Sequence, residues 1–414
     1  MAEQPVAHFV AAEPVTGVAA DVPISRSAAL LGPALIVANL ASYGLLVVAG
    51  RLLDPRDYGV LVVLLALLLV GSVPSLAVQA VVARRSAVGS DRASSAAAGL
   101  VVGAASAATL LVLSPAIAVF LHLHAHWLAL VATALALPPI HVIAALQGTL
   151  QGREQFGRLA VVVLLAGAAR VVAIVPLAVG MSVDAVLVTT AVANVPVAIV
   201  ADAIVGGGPL LRRAHASIRG LLGEVTAAST ALGGLLVLSN LDLLLARHLL
   251  PAAAVGPYGA GSVISKAALW LPQAIALVVL PRLSRPEGAR RALLAALGLT
   301  AAIAFACILG AAVIGEWLVR VTLGARLVPA GGQVWPFALQ GAALSLVQLF
   351  ISDDIAHRRR VVAVMTAVAI VVETVVVLGA DIRSGQMLIG IAAGIAVTLA
   401  IGSAITRRWR TDAG

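Results

Sequence analysis

Four ionisable side chains interrupt long apolar stretches of this chain: Arg170, Asp242, Lys266 and Glu373. An apolar stretch of about 20 residues is long enough to cross a lipid bilayer as a helix. A charge in the middle of a bilayer costs at least ~2.5 kcal/mol, so it usually faces a cavity or a partner of opposite charge. These four residues therefore predict a polar path through a membrane.

Arg170 is the candidate with the clearest chemistry. It lies about eleven residues into its apolar stretch, and at 1.5 Å per residue this is a depth of roughly 16 Å, near the midplane. Its guanidinium has a fixed charge and a planar fork of donors that matches the oxygens of a phosphate group. We therefore expect Arg170 to contact a phosphate; the alternative is a structural ion pair with a neighbouring helix.

A polar helix face surrounds Lys266. Ser262, Lys266 and Trp270 follow one another at four-residue spacing, and Gln273 lies seven residues beyond Lys266, so all four share one side of a helix. A polar side on an otherwise apolar helix is typical of a water-filled cavity. Two earlier apolar stretches carry similar faces, and the combined pattern predicts a substrate cavity lined by Arg170, Lys266, Asn39, Gln79, Ser262 and Gln273.

Asp242 and Glu373 are the two acidic candidates. Asp242 lies at a depth similar to that of Lys266, so the two form either a structural salt bridge or a gate whose pairing breaks during transport. Glu373 lies 203 residues after Arg170. It flanks the cavity, exchanges a coupling ion or plays a structural role. We assign both residues to a gate or ion-coupling site.

The elements that must hold these residues are transmembrane helices. Hydrophobic residues make up 61% of the 414 residues and charged residues only 11%. Only helices and closed barrels satisfy every backbone polar group in a bilayer, and continuous stretches rich in Ala, Val and Leu favour helices. The sequence predicts an all-α integral membrane protein with about twelve spans, at 28–50, 59–83, 96–120, 128–149, 159–180, 184–207, 221–246, 260–281, 292–315, 333–352, 361–379 and 386–405.

The link after the first span and the link after the seventh share a pattern. One begins with Arg51 and ends with Tyr58-Gly59, and the other begins with Arg247 and ends with Tyr258-Gly259. Each contains an apolar pair and a proline, and the Tyr-Gly pairs are 200 residues apart. Six spans separate the copies, which predicts a parallel repeat of two six-helix bundles around a central cavity.

The net charge of +9 indicates membrane orientation rather than nucleic-acid binding. Most arginines fall in every second link between spans, and the positive-inside rule places those links and both termini in the cytoplasm. The N-terminal residues lack a basic region followed by an apolar one, so a signal peptide is not expected. The predicted domains are a flexible cytoplasmic tail (1–27), a first bundle (28–207), a basic cytoplasmic linker (208–220), a second bundle (221–405) and a cytoplasmic tail (406–414).

Metal and redox chemistry have little support in the sequence. Cys307 is the only cysteine, so neither an intrachain disulfide nor a multi-thiolate site can form. His122, His124 and His126 alternate beside Trp127 without an adjacent carboxylate or thiol, and we interpret them as an interfacial belt. We therefore predict no metal site and no cofactor.

Three stretches of the chain resemble a known family. They read VVAGRLLDPRDYGVLVVLLALLLV from residue 47, ALQGTLQGREQFGRLAVVVLLAGAARVV from residue 145, and NLDLLLARHLLPAAAVGPYGAGSVISKAALWLPQAIALVVLPRLSR from residue 240. They are similar to the start, to the fourth and fifth spans, and to the seventh and eighth spans of bacterial polysaccharide and O-antigen flippases. These flippases belong to the multidrug/oligosaccharidyl-lipid/polysaccharide (MOP) flippase superfamily.

The resemblance implies a transporter in the bacterial cytoplasmic (inner) membrane. Its cargo would be an undecaprenyl-diphosphate-linked oligosaccharide, moved from the inner to the outer leaflet for cell-surface polysaccharide biosynthesis. Two rocking bundles would expose the cavity to each side in turn. The expected partners are the lipid bilayer, the polyprenyl-diphosphate-linked glycan, and a polysaccharide polymerase or glycosyltransferases, with no nucleic acid.

Two other classes of protein also have about a dozen spans. A multidrug and toxin extrusion relative, or another secondary transporter of small molecules, is the main alternative. A drug pump for cations would need acidic groups in its cavity, whereas Arg170 and Lys266 favour an anionic cargo. A membrane-embedded glycan polymerase, ligase or glycosyltransferase usually needs a long extracytoplasmic loop, and all the outer links here are short. We therefore expect that the protein is not an enzyme.

Overall fold

The computed structural model describes residues 24–87, 95–206, 218–271, 289–356 and 359–411. The predicted linker 208–220 lies largely outside these ranges, and most of the predicted N-terminal tail and Gln273 also fall outside them. The helices are α1 Ile24–Leu52, α2 Pro55–Gly71, α3 Val73–Ala87, α4 Ser95–Phe120, α5 Trp127–Gly152, α6 Phe156–Val172, α7 Val175–Ala178, α8 Val183–Val205, α9 Ile218–Leu249, α10 Ala252–Trp270, α11 Ala289–Thr322, α12 Trp335–Ala356, α13 Val361–Gly379 and α14 Gly385–Thr411.

The predicted all-α membrane architecture is confirmed. Within the described ranges, 10 segments are long and apolar enough to cross a membrane. Helices α9 and α10 lie between the sixth and the seventh of these segments in chain order. Several predicted limits differ from the structure. The helix of the fifth predicted span (159–180) ends at Val172, and that of the ninth (292–315) extends to Thr322. In addition, the second span is divided at Ser72, and α10 begins at Ala252 rather than near residue 260.

Prolines explain the last two of these differences. Pro74 has no amide hydrogen, so the helix that starts at Pro55 cannot continue its regular bonding past Val70. Ser72 there donates its hydroxyl hydrogen to the carbonyl of Leu69 at 2.8 Å. Pro251 precedes α10 with φ −54° and ψ 142°, an extended conformation that ends α9 and lets a new helix start directly.

The helices form two bundles, α1–α8 and α9–α14. In the first, α5 packs against α3, α4 and α8, and α1 packs mainly on α6. In the second, α12 packs against α10, α11 and α14, and α9 packs against α13. Small residues permit these close approaches, as at Gly167, where an added Cβ would lie 3.0 Å from Cα of Ala38.

The bundles meet along α2 and α3 on one side and α9 and α10 on the other. Glycines make the approach close, because an added Cβ on Gly59 would lie 3.0 Å from Cβ of Val255, and one on Gly256 would overlap the carbonyl oxygen of Pro55. The two Tyr-Gly pairs of the predicted duplication therefore both lie at this contact, with Gly59 against Val255 and Gly259 against Val62. We call the Arg51 and Arg247 ends of α1 and α9 the predicted outer side, and the opposite ends the predicted cytoplasmic side.

Candidate functional site

Arg170 lies on the inward face of α6. It follows Leu159 and Val163 by eleven and seven residues, which puts all three on one stripe of the helix. Leu159 and Val163 are buried, whereas the guanidinium-bearing Arg170 is exposed. The exposed apolar side chains of α6, such as Val161 and Leu164, lie on the opposite stripe and are placed to face lipid. Arg170 therefore lies on the packed stripe of α6, in the last turn of that helix.

The neighbouring helix α1 supplies polar groups at the same level. Gly167 of α6 contacts Ala38 of α1, and the two helices run in the same direction. Arg170, three residues after Gly167, thus lies level with the turn of α1 that includes Ser42 and follows Asn39. Asn39 is exposed, and the Ser42 hydroxyl donates to the Ala38 carbonyl at 3.1 Å. Among the described residues, Arg170 itself has no hydrogen bond or ion pair.

Gln79 belongs to the same bundle but is tied to another helix. Its amide on α3 donates to the side-chain oxygen of Gln151 on α5, at 3.3 Å. Ser262, on α10, is 4% exposed, and its hydroxyl donates to the Gly259 carbonyl of its own helix at 2.7 Å. Lys266 on the same helix is half-buried.

The second bundle contains a buried polar cluster around Asp242. The phenol of Tyr258 donates to one oxygen of the Asp242 carboxylate at 2.7 Å. Lys266 and Glu373 both interact electrostatically with this carboxylate. Asp242 and Glu373 are each 1% exposed.

Helix packing places the two acids side by side. An added Cβ on Gly234 of α9 would lie 3.3 Å from the Thr366 methyl group of α13. The helices run in the same direction, so Asp242, eight residues after Gly234, and Glu373, seven residues after Thr366, lie at one level. One oxygen of each carboxylate, and the side-chain oxygen of Asn240, are buried without a hydrogen-bond partner in the described part of the chain.

A direct Asp242–Lys266 salt bridge does not form among the described residues. Tyr258 and Lys266 lie two turns apart on the same face of α10, and it is the Tyr258 hydroxyl that donates a hydrogen bond to the Asp242 carboxylate. The sequence pattern marked Tyr258 only as part of the duplicated Tyr-Gly pair. Nothing in that pattern showed that its hydroxyl would bind the acid.

The two halves of the duplication differ at this point. Tyr58, the counterpart of Tyr258, is buried, and its hydroxyl has no hydrogen-bond partner within the described ranges. Asp242 lies five residues before Arg247, and Leu46 lies five residues before Arg51. The acid is thus present in the second bundle alone, beside a tyrosine that both halves share.

His126 of the predicted interfacial belt, and His248 near the end of α9, both contact groups at helix ends. His126 lies 2.9 Å from the carboxylate of Asp184, and His248 lies 2.7 Å from the Phe120 carbonyl oxygen. Across the described residues, no group of three His, Cys, Asp or Glu side chains is arranged to hold a metal ion.

Comparison with known families identifies the chain. A family model described as "Polysaccharide biosynthesis protein" matches residues 47–330. The chain belongs to this family. Solved transporters of the MOP superfamily share the fold of this chain.

Three solved structures illustrate that fold. The lipid II flippase MurJ, in an inward closed conformation, matches with a TM-score of 0.69 at 8% identity, over 92% of this chain and 87% of that chain. A MATE transporter from Vibrio cholerae matches with a TM-score of 0.63 at 15% identity, over 94% and 97%. A eukaryotic MATE transporter matches with a TM-score of 0.64 at 12% identity, over 92% and 95%. No curated protein matches the sequence.

Proposed function

We propose that this protein is a flippase for a polyprenyl-diphosphate-linked oligosaccharide. It would move the lipid from the inner to the outer leaflet of the bacterial cytoplasmic membrane, for cell-surface polysaccharide synthesis. Transport would occur by alternating access of the two bundles, with both termini in the cytoplasm. The observation that carries the proposal is Arg170, an exposed cation in the last turn of α6, on the packed stripe of that helix, with no partner among the described residues.

A diphosphate needs such a group to cross the hydrocarbon layer. An isolated anion in a medium of low dielectric constant is strongly disfavoured, so a buried charge has to be paired. Arginine pairs with phosphate oxygens through two parallel hydrogen bonds, which are stronger than bonds between neutral groups. Arg170 can supply that contact, and Asn39 on the adjacent α1 turn can bind a sugar hydroxyl or a further phosphate oxygen.

The sign of the accessible charge favours an anionic cargo over a cationic drug. The two acids of the second bundle are each 1% exposed, so they are not available to a solute in the space that Arg170 faces. Arg170 is exposed and Lys266 is half-buried. A cargo that enters between the bundles therefore meets positive charge first.

Asp242 and Glu373 suit ion coupling rather than cargo binding. Two buried carboxylates on adjacent helices repel each other when both are charged, and each keeps an oxygen without a partner in the described residues. A proton or a small monovalent cation would relieve both conditions. We therefore propose that this pair couples transport to an ion gradient.

The proposed step breaks no covalent bond, so the protein would act as a transporter and not as an enzyme. The enzymes that make or consume its cargo are the expected partners. These are glycosyltransferases before the step and a polysaccharide polymerase after it.

The test is lipid movement in liposomes that contain purified protein and a fluorescent polyprenyl-diphosphate oligosaccharide. Arg170→Gln should lower the rate of movement at least about tenfold, because two charge-assisted hydrogen bonds are lost. Arg158→Gln is the matched control, since Arg158 is an exposed arginine on the same helix whose side chain bonds Gln155 at 3.3 Å. Equal rates for Arg170→Gln and the parent protein would show that Arg170 does not bind the cargo. No movement by the folded parent protein would refute the proposed function.

A further inference from the structure

Two arginines join the bundles at the predicted outer side. Arg51, at the end of α1, donates from Nε to the Thr322 carbonyl oxygen of α11 at 3.1 Å, and from Nη2 to the carbonyl of Val321. Arg247, at the end of α9, donates from Nε to the Leu121 carbonyl oxygen at 2.9 Å and from Nη2 to that of His122 at 3.0 Å. Each arginine thus reaches from the first helix of one bundle to the end of α4 or α11 in the other.

The two contacts are copies of each other. Arg51 and Arg247 occupy equivalent positions in the duplicated links, and their acceptors, Leu121 with His122 and Val321 with Thr322, are 200 residues apart. The same 200-residue offset separates the two Tyr-Gly pairs. Both repeats therefore make this contact: each bundle donates hydrogen bonds from one arginine to backbone carbonyls of the other bundle.

The acceptors are backbone carbonyls, and this allows the hydrogen bonds of the two arginines to break. The last carbonyls of a helix have no partner within the helix and lie at the negative end of its dipole. They bind a guanidinium well, yet they carry no full charge that would be stranded on release. Arg51 is exposed, so water can replace both sides of its bonds. Arg247 is 8% exposed, so its bonds can be hydrated only when the bundles move apart at this end. A buried ion pair with a carboxylate would be far harder to separate.

Residues next to the two arginines also make contacts between the bundles, and we call this line of contacts at the predicted outer side the seam. The His248 ring, next to Arg247, stacks on Phe120 of α4 with ring centroids 4.0 Å apart. An added Cβ on Gly50, next to Arg51, would lie 2.8 Å from the Leu323 carbonyl oxygen. Otherwise α1 packs mainly on α6, and α4 mainly on α5, within their own bundle. The arginines and their immediate neighbours thus connect helices that belong to different bundles.

We infer that Arg51 and Arg247 form a two-part latch that holds the bundles together at the predicted outer side and that must release before this side opens. The inference rests on the alternating access of the proposed function and not on the identity of the cargo. The predicted cytoplasmic side is joined by a different device, because Arg85 and Arg84 both bind the carboxylate of Glu224, the former at 2.9 Å.

The latch can be tested without any cargo. In full-length Cys307→Ala protein in lipid nanodiscs, spin labels at Leu52→Cys and Ala325→Cys report the distance between the bundles by pulsed electron resonance. The double variant Arg51→Gln/Arg247→Gln should raise the fraction of separated molecules at least about tenfold, because four charge-assisted bonds are lost. Arg56→Gln, in the same link as Arg51, is the matched control and should leave the distance distribution unchanged.

An unchanged distribution in the folded double variant would overturn the inference, as would an equal shift in the control. The double variant Arg51→Lys/Arg247→Lys should fall between, since lysine keeps the charge but lacks the planar fork of donors.

A second measurement keeps the inference testable if the double variant does not fold. Cysteines at Gly59 and Val255 are close enough for a disulfide across the seam, with both arginines intact. The oxidised protein should lose the separated population that spin labels detect at the predicted outer side, and reduction should restore it. Persistence of that population in the cross-linked protein would show that this side opens elsewhere, and the latch would be wrong. Because both readouts are distances, failure of lipid movement would count against the cargo and not against the latch.

Discussion

The two tyrosines of the duplicated links provide a matched pair of substitutions. Tyr258→Phe removes the hydroxyl that donates to the Asp242 carboxylate at 2.7 Å, where both groups are buried. Tyr58→Phe removes a hydroxyl that is buried without a hydrogen-bond partner in the described residues. The two changes delete the same atom from equivalent helices, so their difference isolates the hydrogen bond to the acid.

The two substitutions should change the free energy of unfolding differently. A hydrogen bond to a charged group contributes roughly 1.5–3 kcal/mol, and its loss leaves a buried acceptor unsatisfied. Tyr258→Phe should therefore lower the free energy of unfolding by about 2–3 kcal/mol. Removing an unsatisfied buried hydroxyl ends a desolvation cost of roughly 1–3 kcal/mol, so Tyr58→Phe should be neutral or stabilising. The gap between the variants is then at least about 2 kcal/mol.

The assay is reversible unfolding of the purified protein in mixed micelles, with the denaturing detergent titrated against a helical signal. The free energies of the two variants and of the parent are compared under one set of conditions. Equal effects of the two substitutions would refute the reasoning, because they would show that the Tyr258–Asp242 bond adds nothing beyond the packing of the ring. A more destabilising Tyr58→Phe would refute it as well.

Two further predictions concern the ion site and the seam. Glu373→Gln should leave lipid movement insensitive to an imposed proton or sodium gradient, because the amide cannot exchange charge. The control is Asp381→Asn, since Asp381 is an exposed acid beyond the end of α13. A gradient response that persists in Glu373→Gln liposomes would show that Glu373 does not couple transport to the ion. Gly256→Ala should lower the free energy of unfolding by about 1–3 kcal/mol, since its Cβ would overlap the Pro55 carbonyl oxygen. Gly298→Ala is the control, because its Cβ would meet nothing within 4 Å, and it should be neutral or stabilising by up to ~1 kcal/mol. Equal decreases in the free energy of unfolding for the two variants would contradict the close approach of α2 and α10.

Much of the architecture could be predicted because hydropathy is a local property. A run of apolar residues long enough for a bilayer becomes a helix whatever its neighbours are, since the backbone has no other way to bond in lipid. The distance of Arg170 from the start of its helix follows from counting residues, whereas its depth in the bilayer stays a prediction because α6 ends at Val172. The duplicated Arg and Tyr-Gly pattern likewise placed equivalent residues at equivalent links of the two bundles.

Partner choice between helices was decided by the tertiary structure. Tyr258 binds Asp242 in place of Lys266 because the rotation of α10 against α9 sets which side chain reaches the acid, and hydropathy does not encode that rotation. Ser262 shares a helix face with Lys266, but it is buried and its hydroxyl bonds the Gly259 carbonyl of its own helix. The partners of Arg51 and Arg247 are backbone carbonyls, which every residue has, so no residue type could mark them. The sequence by itself determined the helices and which of them carry charges. The packing of the two bundles decided which of those charges meet.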